Sequence, residues 1–299
     1  MSLVALVPAA FVFIWSTGWI MARLVAPFAE PLTFLSLRYA LAFVVAAVLS
    51  LLARAAWPNT RRVILHAMVS GVLLQAIYLG GVWIAVRMGV PAGISALIAA
   101  LQPLMTGVIA LAFGLERLRL AQVLGILVGL LGVLVVIAPK LLAAGADLSH
   151  LGLALAINVI AMISVTLGTF YQKHFIPTGD FRSVIALQYI GALLVSVPAA
   201  LAFETLHIEW RFETYVGMLW SVVVLSIGAI LLMLLMIRRG AVSRLSALIY
   251  LIPPTAAVQA WFLFDETLTL PQIGGMAITA LGVYLATRPA PQASPEKPA

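Results

Sequence analysis

The chain contains no cysteine and only ten acidic residues in 299. Without cysteine there is no disulfide, no thiolate nucleophile and no Cys-based metal site. All ten acids lie between, or at the ends of, long apolar runs, or in the C-terminal tail. There is no G-x-x-x-x-G-K-[ST] phosphate loop, which argues against ATP-driven pumping. Charged residues of both signs make up 9%, against about a quarter in an ordinary soluble domain. That scarcity excludes a soluble enzyme, a disordered protein and a disulfide-framed module. The net charge of +7 does not point to nucleic acid, because no basic run exceeds Arg61-Arg62 or Arg238-Arg239. In a membrane protein such an excess reports orientation.

What is abundant is apolar side chain, at 64% hydrophobic residues. A helix needs about 20 such residues to cross the bilayer core. Charges, prolines and glycines divide the chain into ten expected spans: 3–25, 32–53, 63–86, 91–114, 119–138, 150–173, 182–203, 214–237, 241–264 and 270–287. The fold class expected is an all-α polytopic membrane protein. The first run lacks a basic leader, which argues against a cleavable signal peptide. Ten spans place both termini on one side. Twelve of the 17 Lys and Arg fall on that side, four on the other, and Arg38 lies within span 2. The Lys/Arg rule makes the terminal side cytoplasmic, in a bacterial-type inner membrane, with 289–299 a disordered cytoplasmic tail.

The two halves repeat. A shift of 150 residues places Gly18 on Gly168, Arg23 on Lys173, Pro27 on Pro177 and Tyr39 on Tyr189. With one residue inserted, Ser95-Ala96-Leu97-Ile98 falls on Ser246-Ala247-Leu248-Ile249, and Pro103 on Pro254. At 150 again, Glu116 meets Glu266, Gln122 meets Gln272, and Gly132-Val133 meets Gly282-Val283. Each unit (1–149 and 150–288) holds five spans. Five is odd, so the second unit enters from the opposite side. Inverted repeats are a transporter architecture, with the substrate near the midplane between them.

These residues carry a family resemblance. Trp15-Ser16-Thr17-Gly18, Leu37-Arg38-Tyr39, Pro103, Gly114-Leu115-Glu116 and Gln122-x-x-Gly125, then Pro254, Asp265-Glu266 and Gln272-x-x-Gly275, resemble the drug/metabolite transporter superfamily over almost the whole chain. The chain looks like a ten-span protein of two EamA-type repeats, and within that group it resembles the YddG-type exporters of aromatic and other amino acids. The resemblance implies a basket of ten helices around a central substrate cavity.

Several residues are candidates to line that cavity. Arg38 is the one charge well inside a span, either an anchor for a substrate carboxylate or an Arg that snorkels or pairs structurally. Gln75 and Tyr78 share a face of span 3; Ser95, Gln102 and Thr106 share one of span 4. Asn158, Thr166 and Thr169 do so in span 6, and Ser246 and Tyr250 in span 9. A single Ser or Thr in a span more often bonds its own or a neighbouring helix than a ligand, so the stripes count as sets. Spans 1, 3, 4, 6, 8 and 9 are expected to line the cavity and 5 and 10 to pack outside it. Trp15, Trp19, Tyr78, Trp83 and Tyr250 could stack on a ring or hold a cation; Trp19 and Trp83 could instead be interfacial belt residues, the role expected of Trp57, Trp210, Tyr215 and Trp220. Pro103, Pro253 and Pro254 interrupt spans 4 and 9 at matching depth, as static bends or gates.

The function expected is secondary export of small metabolites, amino acids including aromatic ones first, by alternating access. No carboxylate lies at the midplane, so facilitated export is the simplest mechanism, with coupling through water or His still open. Export of cationic drugs or other metabolites on the same fold is the alternative. An intramembrane hydrolase built on Gly93-Ile94-Ser95-Ala96 lacks a base in reach, and a channel lacks a charged ring or carbonyl filter. No cofactor, metal or catalytic residue is called for. The expected partners are a small-molecule substrate and the lipid bilayer.

Overall fold

A computed structural model describes residues 7–112, 120–143, 148–176, 179–229, 251–266 and 269–287. Span 1 is α1 (Val7–Val25) and span 2 is α2 (Pro31–Leu52). Span 3 is α3 (Arg61–Gly71), a π-helical stretch (Val72–Ile77) and α4 (Tyr78–Arg87). Span 4 is α5 (Ala92–Ala99) followed by α6 (Gln102–Ala112). Spans 5, 6 and 7 are α7 (Leu120–Ala143), α8 (Leu148–Phe175) and α9 (Phe181–Phe203). Span 8 is α10 (Phe212–Leu219) running into a second π-helical stretch (Trp220–Ala229). The described parts of spans 9 and 10 are α11 (Ile252–Phe264) and α12 (Leu270–Thr287). Seven of these segments are long and apolar enough to cross a bilayer, and shorter apolar helices cover Phe212–Ser226 and Leu270–Leu285. The fold is a polytopic helical membrane protein with helices on all ten expected spans.

Helix ends follow local chemistry. Pro31 opens α2, where no backbone donor is required. Asp180 caps α9 by accepting from the Arg182 N–H. Gly89, at φ +98°, turns the chain between spans 3 and 4. Span 4 breaks at Ala100–Leu101, just before Pro103, while Pro253 and Pro254 occupy the first turn of α11. Span 5 continues through Pro139 to Ala143, past the end expected from the sequence.

Spans 2 and 7, 4 and 9, and 5 and 10 pack on one another, and each pair joins repeat mates. A pseudo-two-fold arrangement therefore organises the helices. The buried Tyr39 and its mate Tyr189 stack across it, with ring centroids 6.2 Å apart. Lipid supplies no hydrophobic drive between helices, so close packing must hold them. The 5–10 pair has the most extensive contact and meets through glycine. A Cβ on Gly132 would collide with Thr279 and the Gly275 carbonyl, and one on Gly282 with the Gly129 backbone. The opposite face of span 5 is exposed leucine, including Leu127 and Leu134, as a lipid-facing surface requires.

At one end of the helices the 1–2 and 7–8 loops interlock. The Glu204 carboxylate accepts from the Leu32 and Thr33 N–H groups at 2.8 and 2.7 Å, capping α2. Glu30 in turn accepts from the His207 N–H at 2.8 Å and the Thr205 hydroxyl at 3.1 Å. Burial pushes the Glu30 carboxyl up, but these donors outweigh it and hold it below its ordinary value.

Candidate functional site

Spans 1, 2, 3, 6, 7 and 8 enclose a cavity of about 240 Å³. Its wall joins Trp15, Gly18 and Trp19 of α1 to Arg38 of α2 and to Gln75, Tyr78 and Trp83 of span 3. Val165, Tyr189, Leu225 and Ser226 close it from the second half. The sequence-selected residues Trp15, Arg38, Gln75, Tyr78 and Trp83 thus come together in one place.

Arg38 is the charge in this wall. It is 7% exposed, and its Nη2 donates to Ser226 Oγ over a long 3.4 Å. Its Nε has no hydrogen-bond partner among the described residues. Among the described residues no carboxylate forms an ion pair with it. An unpaired buried guanidinium costs several kcal/mol, which packing alone does not explain.

Rings make up much of the remaining wall. Trp83 is buried and stacks on Phe34 with centroids 4.9 Å apart. Trp19 is also buried. Both therefore sit inside the protein and not in an interfacial belt. Trp57, Trp210 and Tyr215 are exposed, in keeping with the belt role. Trp220 departs from it: its Nε1 donates to Thr17 Oγ1 at 2.8 Å, tying span 8 to span 1. A paired indole N–H between two helices stabilises their contact and is no longer available to lipid headgroups.

The two π-helical stretches bring polar atoms to the cavity. They occupy repeat-related positions, and Gln75, Leu225 and Ser226 line the wall from them. The Gln75 carbonyl accepts from the Tyr39 hydroxyl at 2.9 Å. Ser226 Oγ donates to the Ser221 carbonyl five residues back, at 2.8 Å. Such π turns often mark functional positions in helices.

Other candidates lie elsewhere. Asn158 Nδ2 donates to Ser95 Oγ at 2.9 Å, and both residues are fully buried, clamping span 6 to span 4. Thr106, Thr166 and Thr169 each donate to a carbonyl four residues back on their own helix. Gln102 begins α6 outside the cavity wall. Ser246 and Tyr250 lie outside the described residues. Span 4 and the described part of span 9 therefore add nothing to this wall, whereas spans 2 and 7 do. Sequence reading passed over Tyr189 and Ser226 as site residues. The stacking mate Tyr39 was a signal for the first. The second is hidden by its π turn, because Ser221 and Ser226 share no α-helical face.

Comparison with known proteins adds the lineage. The chain is 25% identical over 288 residues to an uncharacterised transporter, YvbV, of Bacillus subtilis, covering 94% of this chain and 90% of that one. It is 26% identical over 210 residues to a protein of Salmonella typhimurium named a "probable amino-acid metabolite efflux pump", covering 67% and 69% of the two chains. A solved crystal structure at 19% identity superposes with a TM-score of 0.63 over 94% of this chain and 95% of that one, which shows a shared fold. The model of the EamA-like transporter family matches twice, over residues 2–138 and 150–288. Two copies of that repeat account for nearly the whole sequence, and the chain belongs to the EamA-like transporter family.

Proposed function

We propose that this transporter exports amino acids, aromatic ones among them, across the inner membrane through the Arg38 cavity. The observation that carries the reading is a buried guanidinium with no acid partner among the described residues, in a wall of rings. The fork fits a carboxylate, and Trp15, Tyr78 and Trp83 fit a planar side chain. The likeness to an amino-acid metabolite efflux pump supports the same class.

The mechanism proposed is alternating access without ATP. The repeats 1–149 and 150–288 rock about the cavity, with both termini and the tail 289–299 in the cytoplasm. Pro103, Pro253 and Pro254 are the bending points, since each lies at a helix start where a missing backbone donor costs little. The acids sit at span ends, in loops or in the tail, with none at the expected midplane of a span to carry a proton, and in this reading the substrate moves down its own gradient.

Proteoliposomes preloaded with phenylalanine test this reading. Labelled phenylalanine should enter by counterflow, saturably, and independently of ATP and of a proton gradient. Movement of cationic drugs or sugar nucleotides with no amino-acid counterflow would overturn the substrate assignment.

A further inference from the structure

Among the described residues, four buried side-chain polar atoms have no hydrogen-bond partner: Trp19 Nε1, Arg38 Nε, Asn158 Oδ1 and Ser221 Oγ. The first two are donor N–H groups, and both belong to residues lining the cavity. Buried donors are almost always paired, so two orphans in one wall call for an acceptor. We propose that Arg38 Nε–H and Trp19 Nε1–H together hold the carboxylate of an aromatic acid, and that the substrate's ammonium group is not recognised. The cavity then selects aromatic monocarboxylates as a class, and amino acids enter it as members of that class.

The charge inventory carries the second half of the claim. An ammonium in a low-dielectric site needs an anion or a set of acceptors. By sequence each of the ten acids sits at a span end, in a loop or in the tail, with Glu213 in the first turn of α10. Among the described residues, two of the wall's acceptors are already engaged: the Gln75 backbone carbonyl takes the Tyr39 hydroxyl, and the Ser226 hydroxyl accepts from Arg38 while donating to the Ser221 carbonyl. A carboxylate brings one negative charge to one positive charge and leaves the site neutral. A zwitterion brings an additional cation that must be desolvated without a counter-charge. Nor is the donor pair duplicated by the repeat. The mates of Trp19 and Arg38 are Thr169 and Gln188, and both are hydrogen-bonded within the protein. The inverted architecture therefore holds one carboxylate site and not two.

The inference rests on the reading that this cavity passes an aromatic amino acid. Three ligands separate the two: phenylalanine, 3-phenylpropionate (no ammonium) and 2-phenylethylamine (no carboxylate). Binding to the purified full-length protein is followed by intrinsic tryptophan fluorescence and by competition against labelled phenylalanine. The expected result is that 3-phenylpropionate binds at least as tightly as phenylalanine. The amine should bind at least about tenfold more weakly, the factor that one charge-assisted hydrogen bond carries in an equilibrium constant. W19F, which keeps a ring and removes the N–H, should weaken both acids several-fold and leave the amine unchanged. R38K, which keeps the charge and loses the fork, should weaken them further while remaining monodisperse on size exclusion. Phenylalanine binding with 3-phenylpropionate idle would overturn the proposal and leave the amino-acid reading standing. Equal binding of W19F and the parent protein would remove Trp19 from the site. Failure of all three ligands would overturn both readings.

Discussion

Arg38 and Gln188 occupy the same register in the two halves, and they behave differently. Both are buried. Gln188 Nε2 donates to Ser70 Oγ and to Gln172 Oε1, each at 3.0 Å, so it fastens span 7 to spans 3 and 6. Arg38 lines a cavity, has one long contact, and its buried Nε has no partner among the described residues. The same backbone position thus serves packing in one half and leaves binding capacity in the other. A repeat fold needs symmetry to exchange its two open states. It does not need symmetry in the site, and a single asymmetric cation can orient a substrate at the pseudo-axis.

The largest expected effect comes from removing that difference. R38Q gives the first half the side chain of the second. It should lower amino-acid transport per folded molecule by roughly tenfold to a hundredfold, the range of a hydrogen bond to a charged group. Expression and monodispersity should be unchanged, because an unpaired charge is lost and not a partner. The converse change, Q188L, takes the donor from Gln172 Oε1 and leaves the buried Ser70 hydroxyl with its bond to the Ala67 carbonyl alone. It should destabilise the protein by about 1–3 kcal/mol, the cost of unsatisfied buried polar groups, and lower the melting temperature. Transport per folded molecule should stay within about twofold, well under the tenfold that a charged contact commands. A Q188L protein that melts normally but fails to transport would reverse the roles assigned to the two positions.

S95A asks the same question of a third buried polar pair. Asn158 Nδ2 loses its one acceptor, so the melting temperature should fall, by about 1–2 kcal/mol equivalent, with the substrate profile intact. A changed substrate profile would place the 4–6 contact in the transport path.

The smallest effect concerns the loops outside the bilayer. Folding lowers the pKa of Glu30, so its contribution is present above the ordinary carboxylate value and is lost as pH falls through the folded value. Amide exchange over residues 204–211, corrected for intrinsic rate, should quicken as pH drops below about 4, where carboxylates protonate. In E30Q the step should vanish. A step of equal size in E30Q would take it away from Glu30.

The helices, their inverted repetition and the lone cation were legible in sequence because each is written in local chemistry. Apolar runs of spanning length, charges at their ends and the ordered return of Gly, Pro, Tyr and Glu need no tertiary information. Partner choice does. Periodicity put Ser95 on a polar face of span 4 but did not reveal that Asn158 of span 6 would meet it. The same face count could not find Ser226, because a π turn changes which residues share a side. Trp220 carried the composition of a belt residue and became a bridge to Thr17, since its neighbours and not its type decide whether its N–H meets lipid or protein.

The central claim is that the carboxylate of an aromatic substrate rests on Arg38 within the cavity between the repeats. A structure determined with bound 4-bromophenylalanine tests it most directly, because bromine marks the ring independently of the carboxylate. The account predicts bromine among Trp15, Tyr78 and Trp83, and the carboxylate within hydrogen-bond distance of Arg38. A ligand bound at the Ser95–Asn158 contact, or one in the cavity with its carboxylate turned away from Arg38, would contradict it.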